Sequence, residues 1–510
     1  EIYFHTFNLG RSFMLRMLRG LLTFSGRFRI LHLTWFAFFI IFVLWFNTAP
    51  LATAIRADLG LNVKQIRTVI VCNLALTIPA RIIVGILLDR YGPRKVFSAI
   101  LVYSIIPALW CAMAQDYNQL VWSRIAMSIV GAGFVVGIRM MSEWFPAKDV
   151  GFATGIYGGW GNAGATFSTL ALPAVAASSA FLYSGQVNWR LPVAATGIFA
   201  AIYGVIYFFI AEDTPPGKVF ERAHSATGIE VTSQKDFWLL LIMNAPMVGA
   251  LGILAWRLNI VKVISQSQLY IAYLLLFGLY LFQTYMCWQA NRDLMIGTKR
   301  YPPVERYQFS QVVVLQLCYF VTIGSALAVV SMLPMFFEKN FGLTPVFAGL
   351  MAAVYSACNI FSRPGGGLLS DLFNRKWTLT ILIAGMGLSY LLMSTVDGNW
   401  RLSQAVAVVI IFAVFVQSGG GATYAIVPLI KNRITGQIAG NVGAYSNIAG
   451  ICYLTLYSLL PDGNEGDRIY FQTLGIASLI VAFICAFFLK QPQEGLNLDL
   501  EPSAQIATSS

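Results

Sequence analysis

The chain has 510 residues, of which 57% are hydrophobic and 11% are charged, and its mean hydropathy is +0.69. Soluble domains carry roughly 25% charged residues, and a soluble protein could not cover this much apolar surface with polar side chains. The composition therefore excludes soluble enzymes, disordered chains and secreted disulfide scaffolds. It predicts a helical membrane protein that crosses the bilayer many times.

The formal net charge of +12 has two explanations. Nucleic-acid binding needs a clustered basic surface, and no basic run alternates here with polar helix-forming sequence. Membrane proteins retain Lys and Arg in their cytoplasmic loops, which accounts better for the charge, so no nucleic-acid partner is expected. The seven cysteines form no C-x-x-C pair and the three histidines offer no zinc spacing. We expect neither a metal nor a cofactor.

Apolar runs long enough to span a bilayer follow one another in the order six, two, six. A basic segment, 1–29, precedes six runs within 30–211, and a linker, 212–307, contains two more. A further six runs occupy 308–490, and a polar cytoplasmic tail, 491–510, follows. The fourteen runs lie near 32–54, 66–88, 96–114, 120–142, 152–178, 190–211, 237–255, 268–289, 309–337, 346–369, 377–395, 403–427, 436–460 and 470–489.

The two sets of six runs contain a repeat. Arg81 stands eight residues before Asp89, and Arg363 stands eight residues before Asp371, at an offset of about 280 positions. Two homologous six-helix halves are the simplest explanation. Such halves flank a central crevice in one architecture used by membrane carriers.

The distribution of basic residues predicts the orientation. With the N-terminus in the cytoplasm, most of the 34 Lys and Arg residues lie in cytoplasmic segments, as the positive-inside rule requires. Because the two inserted runs add an even number of crossings, they do not invert the second half, and both termini are expected to be cytoplasmic. We predict a multi-pass protein of the inner (plasma) membrane, surrounded by the lipid bilayer and monomeric.

Arg81 and Arg363 lie about two turns from the predicted cytoplasmic ends of their spans. A charge at that depth costs several kcal/mol, and arginine stays protonated. The spans expected around the crevice carry no Asp or Glu in their apolar middles. A bound anion is therefore the favoured partner, with a purely structural role as the alternative. The planar fork of each guanidinium matches planar oxyanions such as nitrate, nitrite or a carboxylate.

Several motifs carry a resemblance to a known family. Residues 85–95, G-I-L-L-D-R-Y-G-P-R-K, resemble the signature loop of the major facilitator superfamily, and 367–376 resemble a shorter copy. The glycine-rich segments 155–165 and 436–450 resemble the paired signatures of the nitrate/nitrite porter family. E-W-F-P at 143–146 and the long insertion are most similar to its cyanobacterial nitrate permeases.

The resemblance implies an all-α major facilitator fold with two extra helices between its halves. It also implies nitrate and nitrite uptake for assimilation by alternating access. The implied substrate contacts include an amide in the first signature, a seventh-span tyrosine and a fourth-span aromatic ring. The first-signature amide, Asn162, is favoured as a direct contact. For Asn441 and Asn447 of the second signature, contact with the anion and bridging between two helices both stay open, and the phenylalanine could be core filler. The predicted substrate-binding residues are Arg81, Arg363, Asn162, Tyr319, Phe134 and Asn441.

Glycines recur in both signatures at spacings that let helices approach closely in lipid. Helix packing explains most of them, and a smooth helix could also slide and present its backbone to a small anion. The predicted signature glycines are Gly159, Gly161, Gly164, Gly440 and Gly443.

Charged residues near the span ends suggest a gate. Asp89, Arg94, Asp371 and Arg375 are expected to latch neighbouring helices on the cytoplasmic side. Arg139 and Glu143 are spaced i, i+4, which favours a local ion pair, although Glu143 could also titrate and couple transport to protons.

Other functions fit the sequence less well. A major facilitator carrier for another anion, such as a carboxylate, would need a larger pocket and would not need the paired glycine signatures. A membrane-embedded enzyme or redox protein needs clustered His, Cys or acidic residues at bilayer depth, which this sequence does not contain. A channel is disfavoured by the two-half repeat with a single pair of buried cations.

Overall fold

The computed structural model describes residues 16–492, except 75, 184, 223–227, 261, 303–304 and 462. The first fifteen residues and the predicted tail from 493 onward lie outside this part. All regular structure in the described residues is helical, and ten helices there are long and apolar enough to cross a membrane. Helices satisfy every backbone polar group within the segment, as lipid requires. The predicted all-α membrane fold is confirmed.

The helices before the central linker include several interrupted spans. They are α1 (Gly26–Trp45), α2 (Ala52–Asp58), α3 (Val63–Cys72), α4 (Thr77–Tyr91), α5 (Pro93–Tyr103), α6 (Ile105–Ala112), α7 (Tyr117–Met127), α8 (Gly133–Trp144), α9 (Val150–Ser178) and α10 (Arg190–Ile210). The second predicted span is divided between α3 and α4. A 3₁₀ turn, Ser128–Ala132, joins α7 to α8 within the fourth.

The remaining helices form the inserted pair and the C-terminal half. They are α11 (Gln234–Ile260), α12 (Gln266–Met295), α13 (Phe309–Tyr319), α14 (Ser325–Phe341), α15 (Pro345–Ala357), α16 (Asn359–Leu372), α17 (Arg375–Met393), α18 (Leu402–Ile430), α19 (Thr435–Leu459) and α20 (Asn464–Phe488). A π-helical turn, Phe320–Gly324, connects α13 to α14. Side chains of Ser265 and Asn374 accept hydrogen bonds from the first turns of α12 and α17, as N-caps do.

Four of the fourteen predicted spans are not among the ten apolar helices. They are the divided spans α3–α4 and α15–α16 and the glycine-rich helices α9 and α19. With 29 and 25 residues, α9 and α19 exceed the roughly 20 residues that a crossing needs. Glycine, amide and hydroxyl residues make these segments less apolar, and the same segments carry the two arginines and both signatures.

Two helix pairs join the halves of the molecule. Helix α9 packs along α16, and α4 packs along α19, so each pair combines one helix from either half. A Cβ at Gly367 would collide with the backbone oxygen of Gly151. A Cβ at Gly85 would lie 2.5 Å from the backbone oxygen of Gly436. The glycines therefore bring backbone against backbone, as small-residue stripes do in membranes.

The inserted helices lie against one side of this core. Helix α11 packs on α12 and on α19, and its Met247 belongs to the same apolar cluster as Ile78 of α4 and Tyr445 of α19. The hydroxyl of Tyr445 donates to the carbonyl oxygen of Met243 at 2.6 Å. Helix α11 thus contacts both halves at once, whereas most side chains of α12 are exposed.

The contact between α9 and α16 predicts the effect of adding a methyl group. Gly367→Ala should lower the melting temperature of the detergent-purified protein, because the new Cβ meets backbone that cannot move aside, and overpacking typically costs about 1–3 kcal/mol. Gly365→Ala on the same helix is the control, since a Cβ there meets nothing within 4 Å. Equal melting temperatures for the two variants would contradict the close contact.

Candidate anion-binding site

The two arginines of the repeat meet at one aromatic ring in the middle of the protein. Arg81 is 5% exposed and Arg363 is 2% exposed. Their guanidinium carbons lie 5.6 Å and 5.0 Å from the ring centroid of Phe134. The ring belongs to α8, so three helices supply this centre. Attraction between each cation and the negative ring face partly offsets the loss of hydration.

The guanidinium of Arg363 is held by neutral groups. Its Nη2 donates to the hydroxyl of Tyr319 at 2.9 Å. The Asn162 amide satisfies both its ends when its oxygen accepts from Nη1 of Arg363 at 3.0 Å and from Nδ2 of Asn359 at 2.7 Å, while its nitrogen donates to the Gly158 carbonyl at 3.3 Å. Asn162 and Tyr319 are therefore next to the arginine, as predicted.

The guanidinium of Arg81 contacts helix α19. Its Nη1 donates to the carbonyl oxygen of Gly443 and to the hydroxyl of Ser446, the latter at 3.0 Å. Its Nε is buried and has no hydrogen-bond partner among the described residues. Arg81 therefore retains donor capacity for a further acceptor.

Neither arginine pairs with a carboxylate within the part of the chain that the structure describes. Two like charges thus share a low-dielectric interior, where an uncompensated charge is costly. A small anion placed between them would supply the missing countercharge.

A third buried arginine shows that burial alone does not define such a site. Arg124 is fully buried, and it donates to Asn47 and to the carbonyl oxygen of Trp45, each at 2.8 Å. Trp45 ends α1, where the helix dipole places partial negative charge. Arg124 is accordingly compensated by a helix end, and it does not touch the Phe134 ring.

Aromatic rings enclose the centre. Tyr319 stacks near-parallel to Phe134 with centroids 6.2 Å apart, and Tyr424 meets both rings edge-on at 4.7–4.8 Å. Tyr424 is fixed because its hydroxyl donates to the Ala439 carbonyl at 2.9 Å. The 3₁₀ turn Ser128–Ala132 lies shortly before Phe134, and the π-helical turn Phe320–Gly324 directly follows Tyr319. Such π-helical turns often mark functional sites.

Three neighbours of the arginines are not among the residues predicted from the sequence. Asn359 precedes Arg363 by one helical turn, a spacing that could have identified it. Ser446 follows Gly443 by three residues and so lies on the same helix face. Tyr424 follows the glycine run 419–421 on α18, and no local signal distinguishes it from the other tyrosines.

The structure does not bring Asn441 to the arginines. Its Nδ2 donates to the carbonyl oxygen of Gln437 on its own helix, and its side chain lines a cleft that faces the inserted helices. Gly158 of the first signature faces the side chain of Arg363, and Gly443 of the second faces that of Arg81. Because these two glycines play equivalent roles, the signatures correspond at an offset of 285 positions. The counterpart of Asn162 in this register is Asn447.

Asn447 is fully buried, and neither its amide nitrogen nor its oxygen has a hydrogen-bond partner among the described residues. A buried amide without partners costs free energy. Its register and its free hydrogen-bonding groups make Asn447 a better candidate than Asn441 for contact with an anion.

The signature glycines serve different contacts. Cβ atoms at Gly159 and Gly440 would meet the backbones of α16 and α4, and one at Gly443 would lie 2.9 Å from the Tyr424 hydroxyl. Gly161 and Gly164 instead face Phe38 and Phe39 of α1. These last two glycines pack the N-terminal half and lie away from the boundary between the halves.

Two aspartates join the halves at one end of the bundle, the end predicted to be cytoplasmic and called the inner end below. Asp89 of α4 accepts from the backbone N–H groups of Gly436 and Gln437 at 3.0 and 2.8 Å. Asp371 of α16 accepts from those of Gly151 and Phe152 at 3.1 and 2.6 Å. Each carboxylate thus caps the positive N-terminus of a helix from the other half.

The cations beside these aspartates differ from the prediction at one position. Arg375 lies 2.7 Å from Asp371, as expected. The guanidinium of Arg94 lies over the ring of Phe208 instead, because the chain turns at Gly92, which has φ +88°, before α5 begins. The cation beside Asp89 is Arg139, at 3.5 Å.

The backbone N–H of Arg94 donates to Asp213 at 2.7 Å. Burial raises the pKa of the Asp213 carboxyl, an effect that this hydrogen bond and the nearby basic groups oppose. Asp213 therefore connects the end of the sixth span to the loop that follows the second span.

Arg139 and Glu143 form the ion pair that their spacing predicts, at 2.9 Å. Glu143 also pairs with Lys218 of the linker at 2.8 Å. Arg139 donates to the carbonyl oxygen of Asn432, which precedes α19 in the other half. Both residues therefore belong to the closed inner end.

Comparisons with known proteins agree with this architecture. The family model described as Major Facilitator Superfamily matches residues 34–310 and 315–508. A Nitrate/nitrite transporter NrtP of Nostoc punctiforme is 54% identical over 480 residues, covering 94% of this chain and 95% of the relative. Its namesake from Picosynechococcus sp. is 52% identical over 509 residues with the same coverage.

Solved structures resemble the fold at low sequence identity. A structure of the proton:xylose symporter XylE has a TM-score of 0.60 at 15% identity, covering 92% of this chain and 97% of the other. The human organic anion transporter MFSD10 also reaches 0.60 at 12% identity, covering 90% of this chain and all of the other. These likenesses concern the fold alone.

The aspartate caps predict a specific loss of stability. Asp371→Asn should lower the melting temperature markedly, because removing one charge of a buried pair costs about 3–5 kcal/mol. Asp116→Asn is the control: Asp116 is exposed and caps α7 within one half, and asparagine caps nearly as well. Similar shifts in both variants would contradict a cap that joins the halves.

Proposed function

The chain belongs to the major facilitator superfamily, and from that premise we propose that it is a nitrate/nitrite transporter working by alternating access. It moves a solute across a membrane and is not an enzyme. The observation that carries the proposal is the pair of buried arginines that share the Phe134 ring and pair with no carboxylate among the described residues. Relatives that are more than half identical bear the name nitrate/nitrite transporter.

The anion binds between Arg81 and Arg363 in this proposal. Each guanidinium offers a planar fork of donors that matches a planar oxyanion. The hydroxyl of Tyr319 accepts from Arg363, so its own proton remains available for an anion oxygen. The free amide of Asn447 can donate from the side of Arg81. One bound nitrate leaves a residual charge of +1, which favours rapid exchange of one anion for another.

The tight surroundings favour a small, flat substrate. Phe134, Tyr319 and Tyr424 pack against one another, and a Cβ at Gly443 would lie 2.9 Å from the Tyr424 hydroxyl. A carboxylate that carries a side chain would have to displace these rings. Nitrate and nitrite present only oxygens around one nitrogen, so they fit with less rearrangement.

Alternating access follows from where the halves are joined. The caps of Asp89 and Asp371 hold the inner ends of α4, α9, α16 and α19 together. Opening the inner end must break these hydrogen bonds. An anion shared by both arginines lowers the repulsion between them and so helps to hold the halves together at the centre. Asp89 and Asp371 thus act as the gate, with Arg139 and Arg375 as their cations.

The protein is further proposed to lie in the plasma membrane as a monomer, with the inner end in the cytoplasm. The concentration of basic residues in the loops at that end supports this orientation. Glu143 forms ion pairs with two cationic partners, Arg139 and Lys218. A role of Glu143 in proton coupling would require both pairs to separate during transport.

Uptake into liposomes tests the function. Purified protein should accumulate labelled nitrate, and unlabelled nitrate or nitrite should compete, whereas acetate at the same excess should not. Competition by acetate equal to that of nitrite would support the carboxylate carrier instead. Uptake driven by a pH gradient in vesicles without internal nitrite would exclude strict nitrate/nitrite exchange.

The charge of the site yields a sharper prediction. Asn162→Asp places a carboxylate beside Arg363. In the wild-type protein the amide oxygen of Asn162 lies 3.0 Å from Nη1 of Arg363 in the orientation that satisfies both ends of the amide. The new internal ion pair should reduce nitrate uptake to background while leaving the melting temperature unchanged or raised. Asn399→Asp in an exposed turn is the control and should transport normally. Normal uptake by Asn162→Asp would contradict an anion site at Arg363.

A further inference from the structure

A second polar site lies between the inserted helices and the core. A cavity of about 40 Å³ is lined by residues of α4, α11, α12 and α19 and of the linker before α11. It stands apart from the arginines, on the face of α19 that packs against the insertion. Its lining residues from α4 and α19 come from opposite halves of the molecule.

Amides form the floor of this cavity. Gln437 and Asn441 are 1% and 3% exposed and line it one turn apart on α19. Among the described residues, no hydrogen-bond partner is found for the amide nitrogen or oxygen of Gln437 or for the amide oxygen of Asn441. Asn244 of α11 is also buried there, and its Nδ2 makes a long contact of 3.8 Å with the sulfur of Cys287. Unpaired buried amides are costly, so this floor calls for a hydrogen-bonding occupant.

The rim of the cavity has a different character. Ile82 and Ile86 of α4 and Met286 of α12 line it and are only partly buried, as is Gln283. The partly buried rim is therefore mainly apolar, and it includes residues of α12, most of whose side chains are exposed on the side where lipid is expected. A polar floor behind an apolar rim suits an amphipathic molecule better than free water.

We propose that this cavity binds an uncharged bilayer lipid, whose hydroxyl or ester carbonyl is hydrogen-bonded by the amides of Gln437 and Asn441. No lining residue is charged, so the site supplies no countercharge for an anionic headgroup or for the transported anion. Gln437 follows directly on Gly436, whose N–H is capped by Asp89 at the inner end. The cavity therefore lies near the inner end of the bundle, where the glycerol esters of a surrounding bilayer are expected.

Occupancy of the cavity bears on the gate. The backbone N–H of Gln437 donates to Asp89, while the side chain of the same residue lines the cavity. Ile82 and Ile86 belong to the helix that carries Asp89. A lipid held between α4 and α19 therefore stabilises their contact and favours the closed inner end. The inserted helices supply the outer wall of this site.

Photolabelling tests the proposal independently of the transported substrate. The full chain is reconstituted in phosphatidylcholine vesicles that contain a diacylglycerol with a diazirine near its ester groups. After illumination, mass spectrometry should find label on α4 near Ile82 and Ile86 or on α12 near Met286. Phosphatidylcholine and phosphatidylglycerol with the same diazirine should label these positions several-fold less.

Two variants and a control make the assignment specific. Asn441→Leu keeps the side-chain volume and should reduce labelling roughly tenfold, the effect of about one lost hydrogen bond. Gln437→Met serves the same purpose if the first variant does not fold. Gln289→Leu removes an exposed amide from α12 outside the cavity and should label normally. Labelling that is absent, equal for all three lipids, or unchanged in both cavity variants would overturn the proposal and leave water as the occupant.

Discussion

The rest of the structure depends on two positive charges held in an apolar interior, where neither pairs with a carboxylate in the part of the chain that the structure describes. The protein spreads their cost over neutral groups, namely a tyrosine hydroxyl, an amide oxygen, a backbone carbonyl and the face of Phe134. Each of these stabilises a guanidinium without cancelling its charge. The centre therefore keeps a net positive potential that a single small anion can satisfy.

At the inner end of the bundle, by contrast, the buried charges are paired. At the inner end every aspartate of the gate has both a helix N-terminus and an arginine beside it. The paired aspartates hold the two halves in one arrangement, whereas the two arginines at the centre are left able to bind an anion. Glycines make the design possible, because α9 and α19 must approach α16 and α4 closely enough for a backbone carbonyl to reach Arg81.

Much of this could be predicted from the sequence, since a repeat and a depth argument single out Arg81 and Arg363. Asn441 remains an untested prediction. Matching G-N-A-G to G-N-V-G aligns Asn441 with Asn162, whereas the helix faces that meet the arginines match at an offset six residues longer, which favours Asn447. Arg94 was assigned to the gate because it is near Asp89 in sequence, but a turn at Gly92 directs it away. Cross-half neighbours such as Arg139 and Asn432 have no local signature.

The most direct test of the central claim is nitrate binding measured by calorimetry on the purified protein and on its Arg81→Lys and Arg363→Lys variants. Lysine keeps the charge but not the planar fork. The two-arginine site predicts that each substitution weakens nitrate affinity at least about tenfold, the equivalent of roughly 1.4 kcal/mol, with nitrite affected in parallel. Wild-type affinity in either variant, with the protein folded, would contradict an anion held between Arg81 and Arg363.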